Sequence, residues 1–301
     1  MNRNKYTAYL LGLISVCASV SQISAGNHGS NSNKANKETY SDKKDNIVTW
    51  QAGSLWNGFI KCNLNRTTGH LKITAKSKNT EIKEIFTNYQ QKLLKSEIKS
   101  VSFDGNITSI GYGTFKDCEN LESVEMLPDS VKTIGASAFA GCKKLKSFTI
   151  PGSVEKIGFS AFIHCRNLKS IQILGRVKKI EKCTFAGSGL QSITIPNSIT
   201  EIELSAFDHC PDLTSVEIPN SVEKIGFQAF MACKNLTTIE IPDSVKTIGI
   251  NAFRDCTSLT YCKLPAEFKL IGYDNKIITG DERKKDLFYG CSSLTKKNFT
   301  F

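Results

Sequence analysis

The sequence lacks the motifs by which catalytic and metal sites are usually recognised. Only four histidines occur among its 301 residues, and there is no Cys-x-x-Cys pair or tight ligand cluster. Glycines stand singly, in Ile-Gly and turn positions, so there is no glycine-rich loop to hold a phosphate. No nucleophile and base stand in a recognisable catalytic arrangement. We therefore expect a protein that is not an enzyme, with no catalytic residues, no cofactor and no bound metal.

Long hydrophobic segments are also missing. The apolar run from Ala8 to Val20 has about 13 residues, whereas a membrane-spanning helix needs about 20. Arg3 and Lys5 precede the run and small residues up to Ala25 follow it, which is the layout of a secretory signal peptide. We predict a signal peptide over residues 1–25 and a mature chain, secreted or on the cell surface, that does not span the membrane.

The chain is basic, with a formal net charge of +11. Loss of Arg3 and Lys5 with the signal peptide leaves +9 (11 − 2), a charge that favours acidic surfaces in general. Nucleic acid is one alternative, but no basic cluster interleaved with aromatic residues supports it, and we expect no nucleic-acid partner. Residues 26–46 are almost entirely polar, so we predict a disordered linker there.

Residues 47–97 contain no internal repeat. The segments 47–50 and 70–74 carry β-branched or alternating apolar residues, which predicts short strands. Between Glu81 and Ile98 the apolar residues fall on one helical face, which predicts a helix. They are Ile82, Ile85, Phe86, Tyr89, Leu93 and Leu94. We interpret 47–97 as a β-rich N-terminal cap segment.

From residue 98 onward one pattern recurs. It reads IPGSVEKIGFSAFIHC at Ile150–Cys165 and IPNSVEKIGFQAFMAC at Ile218–Cys233. The phenylalanine of the Ala-Phe pair, or its equivalent, is spaced by 24, 23, 23, 22, 23, 23 and 35 residues. These residues are Phe115, Phe139, Phe162, Phe185, Phe207, Phe230, Phe253 and Phe288. A period near 23 over eight units predicts a stack of similar coils. The charged insertion at 273–287 predicts a surface loop.

The chemistry of one unit explains how such a coil is built. Phe148 and Ile150 alternate along a strand and point inward, and Pro151 suits the strand's end because it cannot donate a ladder hydrogen bond. Ala161 and Phe162 then fill the middle of the coil. One coil has two open apolar ends, so only stacking, at about 4.8 Å per coil, buries a continuous core.

The full motif, IPxSVxxIGxxAFxxCxxL preceded by L-x-x-L-x-L, resembles the BspA-like (Treponema-type) leucine-rich repeats, over Ile98 to the C-terminus. The resemblance implies a leucine-rich-repeat solenoid over 98–301, with about eight repeats, parallel β-strands on one face and short strand or helical turns on the other, after a small β-rich cap. It also implies protein binding at a surface, often adhesion to host extracellular-matrix proteins, without catalysis.

Ten cysteines remain after the predicted signal peptide, and seven of them share the repeat position after Ala-Phe-x-x. A position repeated once per coil forms a column, where cysteine behaves as a small buried hydrophobe. We expect these thiols to be free, with disulfides between neighbouring coils as the alternative. Cys62, Cys183 and Cys262 stand outside the column and are the stronger disulfide candidates. Histidine precedes the column cysteine at Cys165 and Cys210, but the pairs are two coils apart, about 10 Å, too far for one metal site.

The candidate partner-binding site is the outward side of the repeated strand. One outward column is Ser123, Ser147, Ser170, Ser192, Ser215, Thr238 and Tyr261, and the next is Glu125, Thr149, Gln172, Thr194, Glu217, Glu240 and Lys263. The alternative interpretation of these two columns is a polar sheet surface that is simply solvated. The same alternative applies to the lysine-rich run on the opposite side of the coils. Two function classes compete: binding of a host or matrix protein, and a structural envelope component that self-associates.

Overall fold

The computed structural model describes residues 46–54, 58–83, 85–86, 89–273, 276–278, 286–295 and 299–300. All of these belong to one compact unit, Asn36–Phe301. The predicted signal peptide and residues 26–45 of the predicted linker lie outside the described residues, as does most of the insertion at 273–287. The domain boundaries given above remain predictions.

The N-terminal strands extend the sheets of the repeat region. β1 (Ile47–Ser54), β2 (Gly58–Asn65) and β3 (His70–Ala75) form an antiparallel meander, and β4 is Thr80–Ile82. β3 pairs in parallel with β5 (Ser100–Asp104), and β4 with β6 (Ile107–Ile110). The Trp50 indole Nε1 donates a hydrogen bond to the Ile85 carbonyl at 2.7 Å, which ties the meander to the chain that follows β4.

The prediction of a helix between Glu81 and Ile98 is wrong for the first half of this segment. Residues 80–82 form β4, and among the described residues of this segment only α1 (Tyr89–Leu93) and the 3₁₀ turn Leu94–Glu97 are helical. Ile82 pairs with Ile110 of the first coil, so pairing between coils overrides the helical spacing of the apolar residues. Leu93, which the pattern placed on the buried face, has 55% of its surface exposed.

The repeats form a parallel β-solenoid of about eight turns, as predicted. Each turn contributes one front strand, whose outward side is called the strand face below. After β5, these strands are β7 (Ser123–Val124), β9 (Ser147–Ile150), β11 (Ser170–Ile173), β13 (Ser192–Thr194), β15 (Ser215–Glu217), β17 (Thr238–Glu240) and β19 (Tyr261–Lys263).

Each turn also contributes a shorter back strand. After β6, these are β8 (Thr133–Ile134), β10 (Lys156–Ile157), β12 (Lys179–Ile180), β14 (Glu201–Ile202), β16 (Lys224–Ile225), β18 (Thr247–Gly249) and β20 (Lys269–Ile271). β21 (Ile277–Ile278) pairs antiparallel with β20, and β22 (Phe299–Thr300) pairs in parallel with β19. The last described coil therefore has a further strand on each ladder.

The constant repeat length keeps equivalent residues in register. Phe148 lies beside Ile171 on the front ladder, and Ile134 beside Ile157 on the back ladder. Along β11, exposed and buried residues alternate, because successive side chains of a strand point to opposite faces. The buried residues at equivalent repeat positions therefore form columns in the core.

The eight phenylalanines of the repeat motif form a continuous stack. Neighbouring rings along it lie 5.1–5.8 Å apart between centroids and are nearly parallel, with interplanar angles from 4° to 21°. Seven of the eight rings are fully buried, and Phe288 at the end of the stack is 9% exposed. The stack runs from the first repeat to the last and forms the centre of the core.

The cysteine column links neighbouring coils without disulfides. All seven column cysteines are free thiols, as predicted. The Cys165 Sγ donates to the Phe139 carbonyl of the preceding coil at 3.1 Å, and the same bond recurs from Cys142 to Cys291 wherever the column holds cysteine. Of the three cysteines outside the column, Cys62 and Cys262 are free and buried, and Cys183 is disulfide-bonded.

We expect Cys291 to be the first described thiol to react with iodoacetamide in the native protein. Burial raises the pKa of the Cys165 thiol to about 12, whereas Cys291 is partly exposed. The neighbouring Cys256 thiol lowers the Cys291 pKa by a hydrogen bond, which favours its reactive thiolate. Peptide mapping after brief labelling should find Cys291 modified, and Cys291→Ser should remove the fast phase. Fast labelling of Cys165 would contradict this.

Candidate functional site

The fourteen strand-face residues predicted from the sequence all lie at the surface. Twelve are exposed, and Thr149 and Tyr261 are half-buried. Glu217, for example, lies between Val216 and Ile218, which are both 7% exposed. The structure therefore places the predicted residues on one side of the front ladder, in two columns that follow its register.

A groove of about 830 Å³ lies in the C-terminal half of the strand face. Seven of the predicted residues line it: Ser192, Thr194, Ser215, Glu217, Thr238, Glu240 and Lys263. The other seven do not: Ser123, Glu125, Ser147, Thr149, Ser170, Gln172 and Tyr261. The structure thus places half of the predicted residues in this groove.

Sequence reasoning missed the groove residues that follow the strands. They are Asn220, Pro242, Asp243 and Ser244, which come from the turns after β15 and β17. Asp243 is held in place because its Oδ1 accepts a hydrogen bond from the Ala266 amide at 3.1 Å. For Asn220 and Asp243 the signal in the sequence was the turn position after the repeated proline, which varies between copies, whereas Pro242 and Ser244 are the repeated proline and serine of the motif.

Neighbouring front strands place equivalent groove residues side by side. Thr194 lies beside Glu217 in the register of β13 and β15, and Glu240 beside Lys263 in that of β17 and β19. Since β15 and β17 come from consecutive coils, Glu217 and Glu240 occupy neighbouring places in one column. β15 and β17 lie side by side but belong to different sheets, whereas β17 pairs with β19. This column therefore presents two carboxylates from consecutive coils followed by an ammonium group.

The two groove glutamates differ in their electrostatic surroundings from most acids of the solenoid. Lys146 lies 2.6 Å from Glu122, and this contact lowers the Glu122 pKa. Further ion pairs join acids and lysines of neighbouring coils or coils two turns apart, including Glu119–Lys143, Asp212–Lys169 and Glu201–Lys179. Among the described residues, no ion pair involves Glu217 or Glu240. The groove lining thus holds three carboxylates, those of Glu217, Glu240 and Asp243, against the one ammonium group of Lys263.

The lysines beside the back ladder are mostly paired with acids. Lys224 lies 3.1 Å from Glu203 and 3.6 Å from Glu201, and Lys246 lies 3.1 Å from Glu223. Lys132 and Lys179 also form ion pairs with acids of the next coil. This side therefore presents less free positive charge than its lysine count indicates, which supports the interpretation of a solvated surface.

One serine and histidine arrangement was not apparent in the sequence. The His70 ring bridges two serines of β5, with its Nδ1 2.8 Å from the Ser100 Oγ and its Nε2 2.8 Å from the Ser102 Oγ. The bridge joins the N-terminal meander to the first coil, and both ring nitrogens are occupied by it. We therefore assign His70 a structural role.

The two histidines that precede column cysteines lie on a turn, away from the strand face. The His209 Nδ1 is 2.6 Å from the Asp208 Oδ1, and this bond raises the His209 pKa. Burial lowers the His164 pKa. Within the described part of the chain, no group of three or more histidine, cysteine, aspartate or glutamate side chains is placed to hold a metal ion.

Among the residues that the structure describes, no helix combines the length and the apolar character needed to span a bilayer.

Comparison with known proteins identifies the repeat type. A family model described as "BspA type Leucine rich repeat region" matches six copies over residues 89–214 and 200–275. No curated protein matches the sequence.

The solved structures that resemble the chain include bacterial leucine-rich repeat proteins. One, from Eubacterium ventriosum, has 21% identity and a TM-score of 0.41, with 83% of this chain and 77% of that chain covered. A leucine-rich cell surface protein from Faecalibacterium prausnitzii has 19% identity and a TM-score of 0.34, with 88% and 95% covered. The pneumococcal vaccine antigen PcpA has 15% identity and a TM-score of 0.47, with 77% of each chain covered.

Proposed function

The chain belongs to the BspA-type leucine-rich repeat family, and on this basis we propose that it is exported and that its strand face binds another protein, in adhesion to a host-surface or extracellular-matrix protein. The family itself indicates protein–protein interaction, and its repeats are typically non-catalytic. The signal-peptide layout of residues 1–25 supports export. Binding to a host or matrix protein is our specific proposal.

The observation that carries the proposal is the groove on the strand face. Its hydroxyls, carboxylates and ammonium group are exposed, and they stand on a rigid ladder whose apolar side is buried. Because the strands fix the backbone under these groups, a partner has to order only their side chains when it binds. Positions that differ between repeats, such as those of Glu217 and Glu240, lie here beside repeated ones such as Ser215 and Pro242, so the surface can be specific while the fold stays regular.

A binding experiment tests this proposal. Mature chain, residues 26–301, is immobilised and exposed to host surface and matrix extracts, and retained proteins are identified and then titrated in pure form. We expect a saturable ligand whose binding is weakened at least tenfold, about 1.4 kcal/mol, by Glu217→Lys together with Glu240→Lys. Retention of no host or matrix protein, or a ligand that is indifferent to every strand-face substitution, would contradict the proposal.

Self-association in an envelope or matrix is the second candidate function. β1 is eight residues long, carries no charge and no proline, and lies at the outer edge of its five-stranded sheet, where no other described strand pairs with it. Such an edge can pair with another chain because its backbone groups are available. A dilution series by light scattering decides: concentration-dependent oligomers without a host ligand would favour this function over adhesion.

A further inference from the structure

We propose that the groove takes an extended peptide segment of the protein partner, with two basic side chains followed by an acidic one. The inference rests on the proposed function, because it assumes that the strand face binds protein, and it adds the chemistry of the bound segment. The groove column Glu217, Glu240 and Lys263 supplies the complementary order of charges, acidic, acidic, basic.

The first argument is the unbalanced charge at Glu217 and Glu240. The two carboxylates stand at equivalent places of consecutive coils whose strands β15 and β17 are in contact, and like charges this close repel each other. On the other faces, lysines of adjacent or nearby coils offset the negative charge of such acids, with distances from the lysine Nζ to the carboxylate oxygen down to 2.6 Å. No ion pair does so for these two glutamates among the described residues. A basic side chain placed between them relieves the repulsion and forms charge-assisted hydrogen bonds.

The second argument is the length of the column. Equivalent residues of three consecutive coils span about 10 Å if neighbouring coils keep the usual strand spacing. Alternate residues of an extended peptide point to the same side, about 6.7 Å apart, so three of them span about 13 Å. Lysine and arginine are long enough to absorb this difference. A peptide that crosses the strands therefore presents residues i and i+2 to the two glutamates and residue i+4 to Lys263.

The third argument is the neighbouring column of hydroxyls. Ser192, Ser215 and Thr238 line the same groove, and all three are exposed. Their side chains make no hydrogen bond within the part of the chain that the structure describes. A hydroxyl can both donate and accept, so this column can bind the peptide backbone whatever its sequence. The charges would then determine which segment is chosen.

The test uses the mature chain and two synthetic peptides, Lys-Ser-Lys-Ser-Glu and Glu-Ser-Glu-Ser-Lys, which carry opposite charges at each of the three charged positions. Each peptide is flanked by glycines and labelled for fluorescence polarisation. We expect the first peptide to bind about tenfold more tightly. Glu217→Lys with Glu240→Lys should reverse this preference. Equal affinities for the two peptides, or a double variant with unchanged preference, would overturn the inference.

A matched control separates site binding from general attraction of basic peptides. Glu155→Gln with Glu223→Gln removes the same number of charges as Glu217→Gln with Glu240→Gln, but at exposed acids paired with Lys132 and Lys246. We expect only the groove variant to lose binding, and equal losses would refute the site. If strand-face substitutions weaken a captured protein ligand while neither peptide is preferred, this inference fails and the proposed function stands.

Discussion

Replacing Phe162 with alanine should lower the free energy of unfolding by about 3–5 kcal/mol, the usual cost of removing a fully buried phenylalanine. The Phe162 ring stacks between Phe139 at 5.3 Å and Phe185 at 5.8 Å, and it meets the edge of Phe148 at 4.9 Å. Its neighbours belong to three different coils and are held by both ladders, so they cannot move together to fill the space.

Chemical denaturation of the mature chain, followed by circular dichroism, measures this loss. Met126→Ala is the matched control, because Met126 is also large and apolar but has 72% of its surface exposed. We expect its substitution to change stability by less than about 0.5 kcal/mol. Similar losses for the two variants would mean that the phenylalanine stack is not the centre of the core.

The second large effect is expected at Gly158, where alanine should destabilise the protein by about 3 kcal/mol, as overpacking against rigid neighbours does. A Cβ at this position would lie 2.3 Å from the backbone nitrogen of Ala136 and 2.7 Å from the backbone carbon of Gly135, in the preceding coil. These are backbone atoms beside the β8–β10 ladder, so no side chain can rotate away. Relief requires the two coils to separate locally.

Gly152→Ala provides the control for this prediction. The nearest atom to a Cβ at Gly152 is the Leu174 carbonyl oxygen at 3.7 Å, an ordinary contact. With no clash, the substitution should be neutral or should stabilise by up to about 1 kcal/mol, because alanine restricts the unfolded chain. Thermal unfolding of the two variants compares them directly. A Gly158→Ala protein as stable as Gly152→Ala would show that the coils are not packed as closely as described.

The two stability predictions and the binding predictions concern different residue positions of the repeat. Phe162 and Gly158 belong to the repeated pattern, and their substitution should reduce folding and therefore every activity. Glu217 and Glu240 vary between copies and are exposed, so their substitution should change binding while stability stays within about 0.5 kcal/mol. This separation allows a loss of binding to be assigned to the groove and not to unfolding.

Errors in the sequence reasoning arose where the repeat does not apply. Between residues 81 and 98, helical spacing of apolar residues competed with pairing of Ile82 onto the first coil, and the pairing prevailed. The His70 bridge to Ser100 and Ser102 joins residues 30 and 32 positions apart, a separation that no periodic pattern reports. In both cases the deciding contact is specific to one place in the chain.

The sequence by itself determined the solenoid, its phenylalanine stack, its free column thiols and the fourteen residues of the strand face. It could do so because, with a period of about 23 residues, equivalent positions of successive repeats stack into columns. The environment of a whole column, buried or exposed, can therefore be read from one coil. Only the tertiary structure decided which part of that face forms a groove, and that turn residues such as Asn220 and Asp243 complete it. It also decided that, among the described residues, Glu217 and Glu240 lack the lysine partners that acids such as Glu122 and Glu223 have. These properties depend on distances between side chains of different coils, and the one-dimensional pattern does not contain them.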